Sequence, residues 1–220
     1  MKIINAGYKI LSPDLDDPNA AFKIYKQIER VGRVCYKSED KITDESAEKF
    51  VRALIKSGHE AMLEHASMSV LFIVDRGVSH EIVRHRIASF AQESTRYCNY
   101  SKEKFGNHIT VIRPFFFNKE GREKEYKAWQ IATMEAEEQY LTLIANGASP
   151  QEARSVLPNS LKTEIVMTTN MREWRHFFKL RAAGITGKPH PQMLEVAVPL
   201  LNECREKLPA LFDDIEPMEV

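Results

Sequence analysis

The run from Met68 to Asp75 sets the tightest limit on what this chain can fold into. Met68, Val70, Phe72 and Val74 alternate with Ser69, Leu71, Ile73 and Asp75, so both faces of an extended segment here are largely apolar. Such a strand lies in the interior of a sheet. Upstream, residues 2 to 11 carry Ile3, Ile4, Tyr8 and Ile10 in weak alternation, which predicts an edge strand broken by Gly7. Asp17-Pro18 supplies a cap and a first-turn proline, and Ala21, Ile24, Tyr25, Ile28 and Val31 form the apolar stripe of a helix ending near Gly32. A second helix starts at Thr43, carries Ala47, Phe50, Val51, Leu54 and Ile55, and stops where Gly58 takes the left-handed position.

Beyond the strand, Gly77 breaks the extended run and Ser79 caps a helix expected to carry Glu81, Arg84, His85 and Arg86. Gly106-Asn107 reads as loop, and residues 109 to 112 as a short strand ended by Pro114. Residues 119 to 146 predict a long helix with Tyr126, Trp129, Thr133 and Tyr140 on one stripe, its aromatics expected in the core. Ser149-Pro150-Gln151-Glu152 predicts a reciprocal capping box opening a short helix that holds Arg154 and ends at Pro158. Thr163, Ile165, Met167 and Thr169 predict a strand, after which Asn170 and Glu173 repeat the capping pattern for a helix ending in Lys179-Leu180-Arg181. A loop over residues 182 to 189 leads to a last helix from about Pro191, and the acidic tail from Asp213 to Glu216 is expected to fray.

The 220 residues contain no linker rich in Pro, Gly or Ser, so one domain over 1–220 is expected. Lysine plus arginine and aspartate plus glutamate both number 31, so no net field draws the chain to nucleic acid or an anionic membrane. Anion recognition must then be local. Cys35, Cys98 and Cys204 are odd in number and lack C-x-x-C spacing, which argues against a disulfide framework or a zinc site and for a reducing cytoplasm. No secretory leader pattern opens the chain and no apolar run approaches the roughly 20 residues of a membrane span, so a soluble, unprocessed protein is expected.

The chemistry concentrates in Arg84-His85-Arg86-Ile87-Ala88-Ser89-Phe90-Ala91-Gln92-Glu93-Ser94-Thr95-Arg96-Tyr97. Residues of a helix point about 100° apart, so Arg84, His85 and Arg86 would fan outward, and taken alone a solvated basic helix end is the simplest account. Arginine recurs at other element ends, at Arg96, Arg154 and Arg181. If these converge, guanidinium forks match phosphate oxygens and pyrimidine carbonyls; if not, each is a surface pair contributing roughly 0–1 kcal/mol. His59 and His65 stand six apart, not the four a helical zinc-protease motif needs, leaving capping or a pocket wall for that cluster. Ser94 lacks a Gly-x-Ser-x-Gly elbow, so hydrogen bonding to phosphate or base suits it better than nucleophilic attack. There is no Walker loop and no Gly-x-Gly-x-x-Gly after a strand. Spacing alone thus leads to a mixed α and β protein with an anion-binding locus.

The run RHRIASFAQESTR closely resembles the signature of the flavin-dependent thymidylate synthases, with Ser89, Ser94 and Arg96 at the family's spacing. Gly58-His59-Glu60 with Glu64-His65, Glu152-Ala153-Arg154 to Leu157-Pro158, Asn170, and Leu180-Arg181-Ala182 resemble its other landmarks in the same order, spanning about residues 32 to 195. The resemblance implies an α+β single domain with a central, largely antiparallel sheet flanked by helices, assembled as a homotetramer with active sites shared between chains. It implies synthesis of dTMP from dUMP, with FAD as cofactor, 5,10-methylenetetrahydrofolate as carbon donor and NADPH as reductant, and no metal. By match of position, Glu81, Arg84, Gln92, Ser94, Thr95, Arg96, Arg154 and Arg181 surround dUMP. Ala61, Arg84, His85, Arg86, Gln92, Asn170 and His176 contact FAD, and Arg181 is the catalytic candidate, stabilising charge on the uracil ring.

Four positions depart from the common pattern. Glu81 stands where glutamine is usual and Gln92 where glutamate is usual, an exchange expected to leave the local charge unaltered. Ala61 replaces a flavin-side hydroxyl, and His176 a frequent asparagine. Two other functions are weighed beside this one. A flavoprotein of the same fold without thymidylate activity would be yellow without dUMP-dependent NADPH oxidation. A non-catalytic nucleic-acid-binding module would use the basic helix in a groove, against which neutral charge and scattered arginines count.

Overall fold

The computed structural model describes residues 1–219. In chain order the elements are β1 (Lys2–Ile4), β2 (Gly7–Ser12), α1 (Ala20–Val34), α2 (Ser46–Lys56), β3 (Ser67–Asp75), α3 (Arg76–Ile82) and β4 (Ser89–Gln92). They continue with β5 (Thr110–Ile112), α4 (Glu123–Ala145), α5 (Pro150–Ala153), β6 (Lys162–Asn170), α6 (Met171–Arg181), α7 (Pro191–Lys207) and α8 (Pro209–Phe212). A four-stranded antiparallel sheet runs in the order β2-β3-β6-β4, and β1 pairs in parallel with β5. Among the described residues no helix is long and apolar enough to cross a membrane. The chain forms two compact units, one of Met1–Gly7, Phe72–Arg84 and Ala91–Ile165, the other of Tyr8–Leu71, His85–Phe90 and Val166–Val220.

The first unit is built on Tyr100, Ile109, Val111, Tyr140, Ala153 and Leu161, all buried. Ile109 and Val111 are two apart and so share a face, while Ile3 opposite Val111 fixes the β1–β5 register. The Met1 ammonium, 2.7 Å from the Glu137 carboxylate, ties the chain start to α4. Only Thr133 and Tyr140 of α4 are buried, whereas Tyr126 and Trp129 stack at 5.4 Å while half-buried. The expected core stripe is therefore partial, and Ile131 and Met134 are 56% and 58% exposed.

α3 departs from expectation at both ends. Asp75, the last residue of β3, accepts from the Val78 N–H at 2.7 Å and caps the helix, so Gly77 lies inside its first turn. Ser79 is no cap; its hydroxyl donates to the Arg76 carbonyl at 2.9 Å. The helix stops at Ile82 with Val83 as C-cap, so Arg84, His85 and Arg86 lie beyond it and the helical fan is not formed.

In the second unit α1 begins at Ala20, because Asp17 closes a turn through its carbonyl to Ala20 N–H at 2.9 Å. It also runs past Gly32. A Cβ at Gly32 would lie 2.6 Å from Phe50 Cε1, so this glycine admits the α2 ring and does not end the helix. Thr43 accepts from the Glu45 N–H at 3.3 Å in the turn before α2, and Gly58 takes φ +70° after it. Trp174 of α6 donates from its indole to the Met68 carbonyl of β3 at 3.0 Å, with Phe177 and Phe178 buried beside it. The acidic tail is pinned where fraying was expected. Arg175, 1% exposed, forms a two-pronged pair with Asp214 at 2.7 Å for each oxygen and also donates to the Leu211 carbonyl. Ile215 is buried, Glu216 pairs with Arg205 at 2.8 Å, and Met218 N–H donates to the Ala182 carbonyl at 2.8 Å.

Candidate active site

In the second unit, β6 ends at Asn170, whose side chain accepts from the Glu173 N–H at 2.9 Å and starts α6. The expected reciprocal box is only half made, because the Glu173 carboxylate turns away from the cap to His85 Nδ1 at 3.0 Å. Arg181, at the other end of α6, donates from Nε to His85 Nε2 at 3.3 Å. Phe177 and His176 flank the imidazole at centroid distances of 5.0 and 5.8 Å. Burial pushes the His85 pKa below its ordinary value; the Glu173 hydrogen bond opposes this, and the positive charge of Arg181 adds to it. The ring is thus neutral near pH 7. His85, Glu173 and His176 place one donor atom each within 4.8 Å of one another, a set that suits zinc elsewhere. Here both His85 nitrogens already bond to Glu173 and Arg181, so the arrangement is a hydrogen-bond relay.

Beside the relay lies a cavity of about 470 Å³ lined by Glu60, Glu64, Ile87, Asn170, Arg172, Glu173, His176 and Lys179. Its rim is charged, with Arg172 on Glu64 at 2.6 Å and Lys179 3.8 Å from Glu60. The Thr169 hydroxyl bonds the Ile87 carbonyl and holds the segment after His85. Ala61 lines a different, more apolar cavity of about 570 Å³ with Gly32, Phe50 and Met62. Arg86 is exposed and has no ion-pair partner among the described residues.

In the first unit, Gln92 ends β4 and donates through Nε2 to Ser79 Oγ at 2.9 Å and Thr163 Oγ1 at 3.2 Å. Ser94 Oγ accepts from the Arg96 N–H at 3.3 Å, and buried Thr95 accepts from Arg154 Nη1 at 3.4 Å. Arg96 donates from Nε to Gln151 of α5 at 3.1 Å and lies over the Tyr97 ring at 5.4 Å. α5 exists because the Glu152 carboxylate accepts from the Ser149 N–H at 2.8 Å and its hydroxyl at 2.5 Å. That capped turn carries Arg154 to the Ser94–Arg96 turn. Glu81 is half-buried at the end of α3 and Arg84 is exposed.

The residues singled out in sequence thus fall into two groups. Asn170, His176, His85 and Arg181 come together in the second unit; Gln92, Ser94, Thr95, Arg96 and Arg154 do so in the first. Ala61 lines a neighbouring cavity that shares Glu60 and Arg172 with the one beside His85. Sequence reasoning missed Glu173 as a partner of His85, since a glutamate three residues after an asparagine reads as a cap. It also missed Glu93, which accepts from Tyr100 OH at 3.0 Å and Lys162 at 2.8 Å. Alternation along β4 was the available sign, because the residue next to Gln92 must face the other way.

The family described as thymidylate synthase complementing protein matches residues 23–210. A flavin-dependent thymidylate synthase of Geobacter sulfurreducens is 30% identical over 208 residues, covering 91% of this chain and 83% of that protein. One from Corynebacterium aurimucosum is 34% identical over 204 residues, covering 85% and 78%. One from Pyrococcus furiosus is 33% identical over 184 residues, covering 82% and 70%. In fold the chain is similar to the crystal structure of a UMP/dUMP methylase, PolB, from Streptomyces cacaoi bound with 5-Br dUMP. The TM-score is 0.76 at 22% identity, over 97% of this chain and 96% of that one.

Proposed function

This chain belongs to the thymidylate synthase complementing proteins, the flavin-dependent thymidylate synthases, and we propose that its two groups of site residues divide the reaction between them. The reaction is the reductive methylation of dUMP to dTMP, with FAD as cofactor, 5,10-methylenetetrahydrofolate as carbon donor and NADPH as reductant. The observation that supports the residue assignment best is the relay Glu173–His85–Arg181, whose Glu173 end lines a ligand-sized cavity and whose other end holds the Arg181 guanidinium in place.

Uracil is a poor carbon nucleophile, and adding hydride at C6 or a one-carbon unit at C5 drives negative charge onto the ring carbonyl and N3. Arg181 placed against that edge stabilises the charge as it develops. FAD, when bound, supplies the hydride chemistry, and the protein supplies position and field. The cavity volume lies within the roughly 300–1,000 Å³ typical of small-molecule sites. Asn170 and His176 line it, and the exposed guanidinium of Arg86 suits the pyrophosphate of a dinucleotide, as does that of Arg84. Alanine at 61 offers the flavin no hydroxyl, so Asn170 and His176, which line the cavity, carry that contact. Ser94, Thr95, Arg96 and Arg154 supply charge and donors that suit a nucleotide phosphate, and Gln92 and Glu81 match positions around dUMP by resemblance. The homotetramer, with sites shared between chains, has a physical basis in the exposed Ile131 and Met134, which share one face of α4.

The protein purified with flavin should be yellow, should oxidise NADPH only when dUMP is present, and should yield dTMP. Yellow protein whose NADPH oxidation ignores dUMP would overturn the proposed reaction.

A further inference from the structure

The first turn of α6 holds a buried carboxylate to which the reaction gives no task. Glu173 is 8% exposed, and its Oε1 lies 3.0 Å from His85 Nδ1. An ionised carboxylate only accepts, so the proton of this contact sits on Nδ1. Arg181 Nε can only donate, so at 3.3 Å His85 Nε2 must present its lone pair. Both contacts together demand a neutral ring in the Nδ1–H tautomer; the other tautomer, or the imidazolium, would set one N–H against another.

We infer that Glu173 is a positioning residue for Arg181, acting through the tautomer of His85. The inference rests on Arg181 being the group that polarises the uracil ring. Glu173 and Arg181 lie on the same helix, about 12 Å apart in rise, and helical side chains lean toward the N-terminus, so Arg181 reaches back along α6 to the ring. Glu173 sits where the helix dipole favours its charge, and its backbone is fixed by Asn170. Phe177 and His176 hem in the imidazole, so a change of tautomer cannot be absorbed by free rotation of the ring. The charged and titratable groups around His85 are Glu173, His176 and Arg181. Burial keeps the ring from charging despite the carboxylate, which preserves the lone pair at Nε2.

The test compares Glu173→Ala and Glu173→Gln as FAD-loaded enzymes, reading the His85 tautomer from ring ¹⁵N shifts alongside kcat, KM for dUMP and flavin content. Assayed at saturating FAD, Glu173→Ala should move His85 toward the Nε2–H form and lower kcat roughly 10- to 100-fold, the scale of a misplaced catalytic group, with KM for dUMP changed less than about threefold. Glu173→Gln, whose amide oxygen still accepts from Nδ1, should keep the tautomer and stay within about threefold in kcat. An unchanged tautomer in Glu173→Ala overturns the inference, as does a large kcat loss in Glu173→Gln with the tautomer kept. If the tautomer flips, kcat holds and Arg181→Ala is inactive, the positioning role is wrong while the role of Arg181 stands. If Arg181→Ala itself retains full activity, the role of Arg181 fails, whatever the tautomer does.

Discussion

The two site regions hold their arginines by opposite means. In the second unit, Arg181 is anchored by an imidazole that is 4% exposed, and Arg175 by Asp214 and a backbone carbonyl. In the first, Arg96 and Arg154 are exposed and lean on the neutral side chains of Gln151 and Thr95 at 3.1 and 3.4 Å. Buried networks fix geometry before a ligand arrives, because low local dielectric strengthens every bond in them. Exposed arms order only when an anion binds, and that ordering costs side-chain entropy. The contrast teaches that the His85 region is fixed by its own packing, whereas the Arg96 region keeps its guanidinium groups in reach of solvent.

The largest effect should come from Arg181→Ala. If the anchored guanidinium meets charge formed only in the transition state, kcat should fall about 10²- to 10³-fold, as for loss of an oxyanion donor. Full dTMP formation at saturating dUMP would erase the contrast.

Stability should respond next, at Asp214→Asn. Burial alone would push the Asp214 carboxyl up, but the hydrogen bonds and charge of Arg175 outweigh it and hold the pKa below the usual carboxylate range. The ion pair therefore stabilises fully above about pH 4 and is lost as pH falls through the lower folded value. Asp214 is 43% exposed and partly screened, so Asp214→Asn should cost about 1–2 kcal/mol at pH 7 and correspondingly less at pH 3. Denaturant unfolding at the two pH values checks this; an equal cost at both would show that the charge is not what matters.

Arg154→Ala sharpens the other half of the comparison. An arm that binds ground and transition states alike should weaken dUMP affinity roughly tenfold with kcat within about threefold. A kcat loss as large as that of Arg181→Ala would show the two regions to be alike.

The smallest change is expected for Gln92→Glu. Of its partners, the Thr163 hydroxyl can turn to donate to a carboxylate, while Ser79 would have to give up its bond to the Arg76 carbonyl to do so, and steady-state constants should move less than about threefold. A larger shift would mean that the exchange at Glu81 and Gln92 alters the charge at the site.

What sequence made legible is what depends on near neighbours. The two-residue period of β3, the box at Ser149 and Glu152, and the left-handed Gly58 are all set within a few positions, and each formed as expected. The basic helix failed because its end is decided from afar. Ile87 and Ala88 continue a helical pattern, yet His85 is drawn to Glu173 and Arg181, 88 and 96 residues away, and the chain leaves the helix at Ile82. Gly32 misled in another way, since the ring that needs its missing Cβ belongs to Phe50. At the site, the candidate residues came from the resemblance carried by RHRIASFAQESTR and the later landmarks, and their grouping in space was not legible. Nothing local reveals that Thr95 meets Arg154 while His85 meets Arg181.

The clasp of Arg175 by Asp214 also sets an order of events during synthesis. The aromatic residues of α6 leave the ribosome before residues 211 to 214, and until those follow, a guanidinium destined for a fully buried position lacks both its carboxylate and its carbonyl. The helix that carries Arg181 therefore has its buried Arg175 fully paired only once the closing segment has been made. A nascent chain stalled before residue 214 would be a substrate for chaperones or proteases.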